Sequence, residues 1–133
     1  MDKKDWDKAK ERLYLPLGRV NLVADGYLVT LQKIPVGDMF HNGIEVFVNG
    51  KFEGKWLFED CEERRRFIAQ KTVPLMNRKQ IAEYNKAPKK VRCVLKELRE
   101  AKTVVYDVYW TNWNALVKHF EANNRDIHLV EEG

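Results

Sequence analysis

Cysteine, histidine, proline and long apolar runs are all scarce in this chain of 133 residues. Its two cysteines, Cys61 and Cys93, are far apart in sequence, which indicates neither a disulfide framework nor a zinc motif, so we expect both to be reduced. No apolar run reaches the length of a membrane span, and the N-terminus lacks the apolar core of a signal peptide. The sequence therefore predicts a cytoplasmic protein of one globular domain, residues 1–133.

Catalytic motifs are also missing. The three histidines, His41, His119 and His128, are widely separated, and no HExxH, GxSxG, Walker or GxGxxG pattern occurs. Cys61 stands near the start of a predicted helix, a position that reactive cysteines often occupy, but the sequence shows no partner that would orient it. We expect no catalytic residues, no metal site and no cofactor.

The pattern nearest to catalysis is Asp38 followed by Glu53 and Lys55. It resembles magnesium-dependent nucleases of the restriction-enzyme type, in which two carboxylates bind the metal and a strand lysine stabilises the developing charge. Glu45 could replace Asp38 as the second carboxylate. The same residues also fit the exposed face of an antiparallel strand that buries Phe52 and Trp56, and we favour that interpretation.

Two turn signals organise the first half of the chain. Asp25-Gly26 and Asn49-Gly50 tolerate the positive φ angles of two-residue primed turns, so each predicts a β-hairpin. Strands at 19–24, 27–34, 44–48 and 51–58 would then form an antiparallel meander with alternating apolar residues. The predicted fold class is α+β, with this meander packed by an N-terminal helix over 2–14 that carries Trp6 and Leu13.

The second half is predicted to begin with helices at 61–70, 78–86 and 89–101. The first follows an Asp60 capping box, the second is capped by Asn77, and the third places Val91, Val94, Leu95 and Leu98 on one buried face. A strand at 103–110, a helix at 112–123 and a strand at 126–130 complete the chain, and the two strands could pair in parallel through a crossover. Trp113, Leu116 and Phe120 should be buried.

Positive charge is concentrated in one third of the sequence. Residues 61–102 carry 13 Lys/Arg against 5 Glu, whereas the other residues carry 11 Lys/Arg against 15 Asp/Glu. Such a segment favours contact with phosphate backbones or acidic protein surfaces, although it also fits an ordinary solvated helical face. The candidate nucleic-acid-binding residues are Arg64, Arg65, Arg78, Lys79, Lys86, Lys89, Lys90 and Arg92.

Several short segments resemble small hypothetical proteins of bacteriophages and prophages. They are Gly54-Lys55-Trp56-Leu57, Glu63-Arg64-Arg65-Arg66-Phe67, Tyr109-Trp110-Thr111, Lys118-His119-Phe120 and Asn123-Asn124-Arg125-Asp126-Ile127. The resemblance implies a mobile-element origin and no particular activity. We favour a non-enzymatic protein that binds nucleic acid or a nucleoprotein through the basic segment. The alternative is an inhibitor or adaptor that contacts a host protein through the loop 38–42. We expect neither a membrane nor a small-molecule substrate as partner.

Overall fold

The computed structural model describes residues 1–36 and 42–131. Its elements in chain order are α1 (Lys3–Leu13), β1 (Arg19–Ala24), β2 (Tyr27–Pro35), β3 (Asn42–Val48), a 3-10 turn (Gly54–Leu57), α2 (Glu62–Phe67), β4 (Ala69–Pro74), α3 (Arg78–Lys86), α4 (Lys89–Glu100), β5 (Lys102–Asp107), β6 (Tyr109–Trp110), α5 (Trp113–Asn123) and β7 (Ile127–Leu129). The α+β class is confirmed. No helix in these described ranges has the length and apolar character needed to cross a bilayer.

An antiparallel sheet with the strand order β6-β3-β2-β1-β7 forms the centre of the fold. The first predicted turn is confirmed, since Asp25 and Gly26 have φ angles of 46° and 89° and join β1 to β2. Asn49 and Gly50 also form a turn, with φ angles of 52° and 83°. The fourth strand expected after it is wrong, because pairing stops at the single Val48–Lys51 bridge and the chain enters the 3-10 turn.

The core lies between the sheet and the helices α1 and α5. Alternating residues of the strands, such as Leu22, Leu31 and Val46, are buried as the pattern predicts. Trp6 of α1 contacts Trp113 of α5 edge to face, with ring centroids 5.9 Å apart. Burying these side chains is the main source of stability, because each removes a large apolar surface from water.

The C-terminal strand-helix-strand follows a different path from the predicted one. The expected strand 103–110 is divided, so that β5 pairs with β4 in a separate two-stranded sheet and β6 pairs with β3. The last strand, β7, pairs antiparallel with β1 at the opposite edge. The strands on either side of α5 run in the same direction without touching, so the predicted direct parallel pairing is wrong.

The described chain divides into two compact units. The core unit comprises Met1–Ala69 and Tyr106–Gly133, and the basic unit comprises Gln70–Val105. All buried residues of the described ranges belong to the core unit, and none of the 36 residues of the basic unit is buried. The expected single domain stays a prediction. The expected buried face of α4 is wrong, since Val91, Val94 and Leu98 are all exposed.

Candidate nucleic-acid interface

Six of the eight predicted binding residues lie on the two helices of the basic unit. Arg78, Lys79 and Lys86 are on α3, and Lys89, Lys90 and Arg92 are on α4. Asn77 caps α3 in a capping box, in which its side chain accepts from the Gln80 backbone and the Gln80 side chain accepts from the Asn77 backbone, both at 2.8 Å. Pro88 is the N-cap residue of α4 and lies between the two helices.

These six side chains are exposed and unpaired. Within the described residues, none of them forms a salt bridge or donates a side-chain hydrogen bond to the protein. The basic unit carries ten Lys/Arg and three Glu, a net charge of +7, while the remaining residues sum to −3. The local field is therefore positive, and it can attract a polyanion without first breaking an internal ion pair.

The spacing of these cations along each helix places several of them on the same helix face. Lys79 and Lys86 are seven residues apart and share one face of α3, while Lys89, Arg92 and Lys96 share one face of α4. Lys96 was not among the predicted site residues, although its spacing from Lys89 is the signal that could have identified it. Arg78 and Lys90 lie on neighbouring faces of their helices.

Arg64 and Arg65, the other two predicted binding residues, have partners inside the core unit. The Arg64 guanidinium lies 3.4 Å above the ring of Tyr106, and the Arg65 Nε donates to Asp60 at 3.0 Å. Asp60 therefore serves as an ion-pair partner and not as the predicted helix cap, since the residue at the cap of α2 is Cys61. A role of these two arginines in binding stays a prediction.

A polar cluster around Asp25 fixes one end of the core unit. Asp25 accepts hydrogen bonds from the backbone N–H groups of Arg125 and Asp126, both at 2.9 Å, and from Arg66 at 2.6 Å. These bonds, of which the two from the backbone are the strongest cause, lower the pKa of Asp25 to about 2. Every member of the cluster has a structural partner, so we assign it to stabilising the fold.

Glu53 and Lys55 of the nuclease-like pattern lie at a 3-10 turn and not on the predicted strand. Glu53 precedes the 3-10 turn and forms salt bridges with Lys51 at 3.3 Å and Lys55 at 3.6 Å. No group of three His, Cys, Asp or Glu residues suited to a metal ion occurs among residues 1–36 and 42–131. Asp38 lies outside those ranges.

The histidines and cysteines form no catalytic pair in the described part of the chain. His119 packs against Trp110 and donates from Nε2 to the carbonyl of Arg65 at 2.9 Å. Burial lowers its pKa. Cys61 and Cys93 are free thiols. His41 and most of the loop 38–42, predicted as a host-protein contact, lie outside the described residues.

Comparison with known proteins gives no assignment. We found no match to this chain among protein-family models, curated proteins or solved structures. The resemblance to phage proteins therefore stays a prediction.

Proposed function

We propose that this chain is a non-enzymatic binding protein that contacts nucleic acid through its basic unit. The observation that carries the proposal is the set of six exposed, unpaired cations within residues 78–92. A surface that keeps so many cations free of carboxylates must hold them against mutual repulsion, which a polyphosphate partner would relieve.

The proposed contact is to the phosphate backbone and is independent of sequence. Lys and Arg side chains neutralise phosphates and release condensed counterions, and this supplies most of the affinity in non-specific binding. Sequence-specific recognition needs side chains that reach base edges, and nothing in the basic unit favours such an arrangement. The resemblance to phage and prophage proteins favours a cytoplasmic role during replication or packaging, and the free cysteines agree with that location.

The proposal is tested by fluorescence anisotropy of the full chain with short labelled single-stranded DNA, duplex DNA and RNA. If all six cations contact duplex phosphates, the logarithm of the association constant should fall with the logarithm of salt concentration at a slope of about −5. The triple variant Lys89→Gln/Lys90→Gln/Arg92→Gln should reduce the steepness of that slope by about 3 while leaving the melting temperature unchanged.

A matched control removes the same charge elsewhere. Lys4→Gln/Lys10→Gln/Lys118→Gln also lowers the formal net charge from +4 to +1, and it changes exposed lysines of α1 and α5. The control should bind like the parent. Equal losses in the two variants would show that net charge alone matters, and binding that is insensitive to salt would contradict the phosphate contact.

A further inference from the structure

Helix α4 has an apolar face that the basic unit does not cover. Val91, Val94 and Leu98 are spaced to lie on one side of this helix of 12 residues, and Val94 and Leu98 are 81% and 48% exposed. A phosphate backbone has no apolar surface to place against them. Contact with nucleic acid therefore leaves this face unexplained.

The apolar face continues into a groove between α3 and α4. Tyr84 and Ala87 on one side, with Val91 and Leu95 on the other, line a depression of about 240 Å³. Its lining on the α3 side is completed by Met76, Gln80 and one carboxylate, Glu83. Tyr84 also donates a hydrogen bond to the carbonyl of Arg92 at 3.3 Å, which holds the two helices together. A ridge beside a groove is the shape into which the apolar side chains of another helix insert.

Charge identifies the kind of helix that fits. Arg92, Lys96 and Arg99 follow one border of the apolar face at helical spacing, and Lys90 and Glu97 lie at the other border, so cations outnumber carboxylates around this face by four to one. A second copy of the chain would bring a unit of +7 against a unit of +7. Helices that lie in a membrane surface usually carry Trp or Phe on their apolar face, and the apolar face of α4 has neither. An acidic amphipathic helix would pack its apolar side chains on this face and pair its carboxylates with the cations at the border.

The lack of buried residues in the basic unit also favours a docked partner. A segment of 36 residues without a buried side chain has little hydrophobic stabilisation of its own, and segments this short usually need an additional source of stability. Docking a helix on α4 would supply that burial.

We infer that the apolar face of α4, with the groove beside it, is a docking site for an acidic amphipathic helix of a partner protein. This inference does not rest on nucleic-acid binding, because the exposed apolar side chains of α4 carry it. Arg92 and Lys96 border this site and also belong to the proposed phosphate contact, so oligonucleotide affinity is measured beside peptide affinity in each variant.

The probe is a labelled synthetic peptide with leucines on one helical face and glutamates elsewhere, and its isomer has the same composition in scrambled order. With the full chain, the amphipathic peptide should bind at least about tenfold more tightly than the isomer. Val94→Ser/Leu98→Ser should remove that preference, while its affinity for a labelled oligonucleotide should stay at the parent value. Val94→Ser alone, at an 81% exposed position, should weaken peptide binding without changing the melting temperature.

The control is Leu15→Ser/Leu17→Ser, which removes two exposed leucines from the core unit. It should bind the amphipathic peptide like the parent. Equal binding of peptide and isomer, or an equal loss in this control, would overturn the inference. Binding to anionic phospholipid vesicles in place of the peptide would also overturn it. The same holds for self-association, measured by sedimentation, that disappears in Val94→Ser/Leu98→Ser. A variant Val94→Ser/Leu98→Ser that loses oligonucleotide binding and keeps peptide binding would overturn it as well.

Discussion

Lysine and arginine side chains are paired differently in the two units. In the core unit Arg66 lies 2.6 Å from Asp25 and 2.8 Å from Glu62, and Arg65 lies 3.0 Å from Asp60. In the basic unit the six predicted binding residues have no such partners among the described residues. Pairing distinguishes the cations that fix the fold from those that we propose to contact a ligand, whereas the number of lysines and arginines does not.

Apolar residues differ in the same way. Trp56, Phe67 and Phe120 of the core unit are fully buried, whereas Val94 and Leu98 of the basic unit are exposed. Regions with few buried apolar contacts open at the lowest free-energy cost, and binding surfaces are often found there. We therefore expect stability to depend on the core unit and binding to depend on the basic unit.

The largest expected effect is on the core unit. Trp113→Ala should destabilise the protein by about 3–5 kcal/mol, because it removes a buried indole that packs against Trp6. That is a large share of the stability of an ordinary domain. Chemical denaturation followed by circular dichroism measures the change in the free energy of unfolding.

Leu98→Ala is the matched substitution in the basic unit. Its side chain is 48% exposed, so truncation should cost less than about 1 kcal/mol. If Leu98→Ala destabilised the chain as strongly as Trp113→Ala, the apolar face of α4 would be part of the core and the comparison between the units would fail.

The contribution of the Asp25–Arg66 ion pair to stability is tested by measuring the melting temperature at different pH values. Asp25→Asn should lower the melting temperature, because the neutral amide loses the ion pair with Arg66 and cannot match a carboxylate as acceptor from the Arg125 and Asp126 N–H groups. The folded pKa of about 2 lies below the ordinary 3.8, so the stabilisation is complete above about pH 4 and is lost as the pH falls towards 2. The difference in melting temperature between parent and variant should narrow over that interval.

Asp60→Asn provides the comparison at an exposed ion pair. Both partners of the Asp60–Arg65 bridge are mostly exposed, so its loss should cost at most about 1 kcal/mol at neutral pH. A larger effect for Asp60→Asn than for Asp25→Asn would show that the Asp25 cluster does not hold the core unit together.

Local chemistry made parts of this structure predictable. Asp25-Gly26 and Asn49-Gly50 are predicted turns because few residues tolerate positive φ, and the structure has φ angles between 46° and 89° there. Asn77 was identified as a helix cap for a similar reason, since its side chain can bond the nearby backbone. Such features depend on a few neighbouring residues and not on the rest of the fold.

Features that depend on distant partners were not predictable. The spacing of Val91, Val94 and Leu98 correctly indicated a helix with an apolar face, but it could not show that these side chains are exposed among the residues that the structure describes. Arg64 has the same exposed-helix pattern as Arg78, yet only Arg64 has an aromatic ring from a distant segment above it. The sequence therefore indicates the candidate binding residues, but it does not separate the paired from the unpaired ones.

The smallest expected effect tests the arrangement of the free cations. Lys96 follows Lys89 by seven residues and Arg92 by four, so it should contact the same strand of phosphates. Lys96→Gln should reduce the steepness of the salt dependence of oligonucleotide binding by about 1, the value expected for one lost phosphate contact. Lys118→Gln removes the same charge from an exposed position on α5 and should leave the slope unchanged. A contact on one face of α4 involves Lys96 and does not involve Lys118. An equal change of slope in both variants would therefore mean that the ligand responds to the net charge of the whole protein.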